Sequence, residues 1–62
     1  MSKSQIILEG LYERYMNIAM SHGYSREQAL EVVDATKIEI GRRKERVYVL
    51  DVLREKTKEI LL

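Results

Sequence analysis

Apolar residues recur at helical spacing along most of this chain. In its first third, Leu8, Leu11, Tyr15 and Ile18 alternate three and four apart, the seam of a packed amphipathic helix. Tyr12, Ala19 and Met16 widen that stripe, while Glu9, Glu13, Arg14 and Asn17 take the opposite side. The spacing predicts a helix from about Lys3 to Ser21, with Ser2 and Gln5 placed for a capping box and Ser4 as a competing cap. Gly10 falls inside it, at a cost of about 1 kcal/mol relative to alanine. It marks either a close helix crossing or an exposed position.

His22-Gly23-Tyr24-Ser25 reads as a tight turn. Glycine suits the left-handed position that ends many helices, and Tyr24, one residue on, is placed to fold back onto Ala19 as in a Schellman motif. Ser25 then starts the next helix, because Gln28 stands three residues later and Ser25-Arg26-Glu27-Gln28 forms a second capping box. Glu27 in the first turn favours the helix dipole. Stop and start signals this close predict two antiparallel or steeply crossed helices.

The second helix begins at Arg26, with Ala29, Val33, Thr36 and Ile40 as its inner seam and Leu30 and Val32 beside it. Glu27, Glu31, Asp34 and Lys37 supply the wet side. Helical spacing returns from Val47 to Leu62, in Val47, Leu50, Leu53, Thr57 and Ile60. Two readings of the join remain open. If Gly41 stops the second helix, a third helix follows. If it does not, residues 26 to 61 form one rod of roughly 50 Å, of which the first helix covers half. A third possibility is a short β-hairpin over residues 37–49, since Lys37-Ile38-Glu39-Ile40 and Arg46-Val47-Tyr48-Val49 both alternate. The expected class is all-α: a helical hairpin plus a third helix, or one long second helix, in a dimeric helical bundle.

Composition narrows the picture. Sixty-two residues make a single small helical domain, 1–62. A chain of this size buries only about 60% of its unfolded surface. The absence of cysteine removes disulfides and thiolate metal sites, so helix packing or oligomerisation must supply stability. A net charge of +1 gives no general drive towards nucleic acid or membrane. No apolar run approaches the roughly 20 residues of a membrane span, and the start of the chain lacks signal-peptide character. A cytoplasmic protein is expected.

Candidate chemistry is sparse. The lone His22 is placed to cap helix carbonyls. No nucleophile–base set, paired carboxylates or phosphate-binding glycine loop stands out, so neither enzymatic activity nor a cofactor is expected. Arg42, Arg43, Lys44 and Arg46 form the one concentration of charge and are the residues for nucleic-acid contacts, although Glu39, Glu45 and Asp51 interrupt them. The residues expected at a partner or dimer interface are Tyr12, Tyr15, Met16, Met20, Tyr24, Val47, Tyr48, Leu50, Leu53 and Ile60.

Gly23-Tyr24-Ser25-Arg26-Glu27-Gln28-Ala29 with Ala35-Thr36 resembles the first loop and second helix of ubiquitin-associated domains, over about fourteen residues. The hairpin from Leu8 to Ile40 is similar in size and turn to small sporulation phosphatases that act on response regulators. Their Ser-Gln-Glu-Leu-Asp signature is replaced here by Val33-Asp34-Ala35-Thr36-Lys37, so none of their catalytic residues carries over. Leu11-Tyr12-Glu13-Arg14-Tyr15-Met16 resembles part of a hairpin inhibitor of sporulation kinases. These likenesses share one implication, action by binding another protein. The expectation is a small regulatory or adaptor protein working by protein–protein interaction as a homodimer, with a nucleic-acid-binding regulator as the alternative.

Overall fold

A computed structural model describes residues 3–43 and 45–62. Its helices are α1 (Lys3–Ser21), α2 (Arg26–Arg42) and α3 (Val49–Ile60), and no strand occurs among the described residues. The chain is all-α. Residues expected to compete for a β-hairpin are the last turns of α2, the connection and the start of α3. The capping box on Ser2 lies outside the described residues, while Ser4 sits within α1 rather than capping it.

The hairpin turn forms through local bonds. Gly23 has φ +95°, its N–H reaches the Met20 carbonyl at 3.1 Å, and the Tyr24 N–H reaches Ala19 at 3.2 Å, the paired bonds of a Schellman motif. Ser25 then accepts from the Gln28 amide at 3.1 Å while its own amide donates to Gln28 Oε1 at 2.8 Å. Each signal satisfies the orphan groups of its own helix end.

Gly41 does not end α2. The helix passes through it and stops at Arg43, which turns extended (φ −80°, ψ 134°) while its amide still bonds Glu39 O at 3.2 Å. Glycine permits a break without imposing one. Folding back here lets α3 cover α2, so the long-rod alternative is excluded. α3 starts two residues later than the spacing predicts, at Val49, and Val47 lies half-buried in the connection. Val49, Val52, Leu53 and Ile60 pack within this chain and need no second copy to cover them.

α2 is the middle layer, and α1 and α3 both pack on it. Its fully covered residues are small: Ala29, Val32, Val33 and Thr36. Short side chains let neighbouring helices approach on two sides, and Thr36 hides its hydroxyl by donating to Val32 O at 2.8 Å. Tyr12, Val32, Val33 and Leu53 form the core cluster, with Leu8, Leu11, Tyr15, Met16 and Ile60 against it. The predicted seam of α2 holds at Ala29, Val33 and Thr36, whereas those of α1 and α3 are rotated. In α1, Tyr12 and Ala19 face α2 and Ile18 is exposed; in α3, Val52 is fully covered where Leu50 was expected. In α2, Val32 belongs to the core and Leu30 is exposed. An apolar arc wider than one contact surface leaves its burial to the neighbours.

Candidate functional site

Because α1 and α3 both pack on α2 while their backbones stay apart, a groove runs between them. Among the described residues no Cα of α1 comes within 8 Å of a Cα of α3. The groove has a volume of about 580 Å³. Its deeper residues are Leu11, Tyr15, Leu53 and Thr57, and its open walls carry Ile18, Leu50 and Leu62, exposed by 59%, 55% and 82%. Three large apolar side chains, each more than half exposed, thus surround one concavity. A smaller hollow of about 260 Å³ shares Tyr15, Ile18, Thr57 and Leu62 and continues to His22 and Tyr24.

One polar bridge crosses the groove floor. Thr57 Oγ1 donates to Leu53 O at 2.6 Å, which uses its only proton, so the Tyr15 hydroxyl must be the donor in its 2.7 Å bond to Thr57 Oγ1. Burying polar atoms there leaves no cost unmet. Around the rim stand Arg14, Arg54 and Lys58, and among the described residues no acidic side chain lines the groove.

The expected interface residues divide in four. Tyr15, Leu50 and Leu53 line the groove, and Tyr24 lines its extension. Tyr12, expected at an interface, is instead core at 6% exposure; burial, aided by nearby Glu9, pushes its hydroxyl above the ordinary tyrosine pKa. Lys37 sits over its ring, 5.2 Å from the centroid. Met16 and Ile60 pack against the core, Val47 is half-buried in the connection, and Met20 and Tyr48 are exposed outside the groove.

No protein-family model, curated protein or solved structure matches this chain. The resemblance of its turn to ubiquitin-associated domains is accounted for by the Schellman and capping-box bonds alone. The geometry of the groove carries the functional reading.

Within the basic cluster, Arg43 is held by carboxylates. Arg43 pairs with Glu55 at 3.2 Å and Glu39 at 3.6 Å, clasping α2 to α3, and Lys56 joins Glu39 and Glu59 at 3.9 and 3.1 Å. Arg42 and Arg46 are exposed, and Lys44 lies outside the described residues. A cation held by two carboxylates is a poor phosphate contact. His22 is a cap: its Nδ1 lies 2.8 Å from Ile18 O, so that nitrogen carries the proton. Among the described residues no cluster of metal-ligating side chains occurs, and no helix is long and apolar enough to cross a membrane.

Residue-type reasoning missed Leu11, Arg14, Ile18, Arg54, Thr57, Lys58 and Leu62 as groove residues. A signal was present. Leu50, Arg54 and Lys58 follow four apart along α3, a row that mixes apolar and cationic residues without an acid, and Leu62 keeps the spacing just past its end.

Proposed function

We propose that this chain is a small helical regulatory or adaptor protein that works by docking another protein in the α1–α3 groove. The observation that carries the reading is the trio Ile18, Leu50 and Leu62, each more than half exposed around one apolar concavity. A surface helix normally turns such residues inward. An unfilled seat between two helices is the shape that helix-in-groove recognition uses.

The test is affinity capture from the source cell, comparing Leu50→Asp with Leu30→Asp, whose target is exposed outside the groove. A partner lost only with Leu50→Asp supports the reading. A partner retained equally by both variants removes it.

A homodimer is the second form of this reading. Its supporting observation is Ile6, Ile7 and Ile38, all exposed away from the groove at 58%, 71% and 63%. Sedimentation at micromolar concentration tests it, and a monomer throughout that range removes it.

A further inference from the structure

Charges on α3 are sorted by row. Asp51, Glu55 and Glu59 follow four apart on one row, and Arg54 and Lys58 follow four apart on the next. The acidic row borders the end of α2, where Glu55 reaches Arg43 at 3.2 Å, and Glu59 pairs within α3 with Lys56 at 3.1 Å. The cationic row borders the groove. On α1 the row at the groove is Arg14-Ile18-His22, again without an acid. Among the described residues Arg14, Arg54 and Lys58 make no ion pair. Acids and bases balance across the chain to within a net +1, so the one-signed rim comes from arrangement and not from composition.

Two like charges four apart on a helix oppose its formation slightly. Here that pair flanks exposed leucines, one row round the helix from its own carboxylates. An occupant with carboxylates on both flanks of an apolar stripe would satisfy rim and floor together. We infer that the groove takes an acidic amphipathic helix of a partner protein. This rests on the docking reading above and adds the chemistry of the partner.

The dimensions agree with a helix. The helical part of the wall, from Leu50 to Lys58, spans about 12 Å, a little over two turns. Cations stand on both walls, whereas a single-headed anionic lipid presents its charge at one end only. An apolar stripe at i, i+3, i+4 and i+7 meets Leu50, Leu53 and Ile18, and its flanking glutamates meet Arg14 on one wall and Arg54 and Lys58 on the other. Complementary rim charge then sets orientation and rate of association.

The probe is a labelled four-turn peptide with leucines at those spacings and glutamates on both flanks, followed by fluorescence anisotropy. Companion peptides replace every glutamate with glutamine or with lysine. The glutamate peptide is expected to bind about tenfold more tightly than the glutamine peptide at low salt, and to lose that advantage at high salt. Arg54→Glu with Lys58→Glu should reverse the order, so that the lysine peptide binds best. Both changes are at exposed positions, and circular dichroism verifies the fold. Equal binding of glutamate and glutamine peptides, lost together in Leu50→Asp, would overturn the acidic assignment and leave the docking reading standing. Preference for a fatty acid over every peptide, or a dimer dissociated by Leu50→Asp that excludes the peptides, would overturn the acidic-helix occupant. Failure of all peptides, together with captured partners indifferent to Leu50→Asp, would remove both.

Discussion

The Tyr15 hydroxyl donates to Thr57 Oγ1 at 2.7 Å, joining α1 to α3 across 42 residues of sequence where their backbones stay apart. It is the one side-chain hydrogen bond between these helices among the described residues. The bond sets the floor of the groove and holds its two walls at a fixed spacing.

Tyr15→Phe should therefore cost about 1 kcal/mol, a fall in Tm of about 4–8 °C for a domain this small. Thr57→Val removes the acceptor and should cost a similar amount. The double variant should be less destabilised than the sum of the two, because both singles break the same bond. Thermal denaturation of the four proteins gives the coupling, and strict additivity would show the bond to be energetically idle.

The glycines should respond with opposite signs. Gly23 has φ +95° and open space around its Cα, so Gly23→Ala meets backbone strain alone, about 1–2 kcal/mol destabilising. Gly10 lies inside α1 with nothing within 4 Å of an added methyl group, so Gly10→Ala should stabilise by about 0.5–1 kcal/mol. Gly41 is equally open but close to the end of α2, and its gain should be smaller. Urea midpoints check the order. A stabilised Gly23→Ala would contradict the Schellman turn.

Val52 and Leu50 separate core from groove. Val52 is fully covered, so Val52→Ala should cost about 2 kcal/mol, a large part of what a domain of this size possesses. Leu50→Ala removes a larger side chain yet should change stability by less than about 0.5 kcal/mol, because that side chain is more than half exposed. Equal losses in chemical denaturation would mean that Leu50 is core and that the groove is closed.

Tyr12 gives a pH dependence with a definite sign. Burial raises its pKa above the usual value near 10, so the unfolded chain releases this proton before the folded one does. Its contribution is fully present below about pH 10 and is lost as pH rises from there through the folded pKa. Between about pH 9 and about pH 11 the urea midpoint of the native protein should fall, and that of Tyr12→Phe should fall less. Identical falls would assign the alkaline loss to other groups.

The turn from His22 to Ser25, with the helices on either side, was legible in the chain because its bonds close locally. Gly23, Ser25 and Gln28 satisfy groups no more than six residues away, and nothing distant is needed to choose their conformation. The existence of a third helical segment was legible from its spacing for the same reason. The end of α2 was not, since Gly41 is compatible with both outcomes and only the fit of α3 against α2 selects a stop at Arg43. The groove was least legible of all. Tyr15, Tyr24, Leu50 and Leu53 were marked by residue type, but Ile18 was assigned to the core and Arg14 to the wet side. Periodicity locates an apolar arc and its width. Which part of that arc is buried depends on how many neighbours press on it and from what angle, and here α2, with small residues turned to two sides, takes both partners and leaves the space between them open.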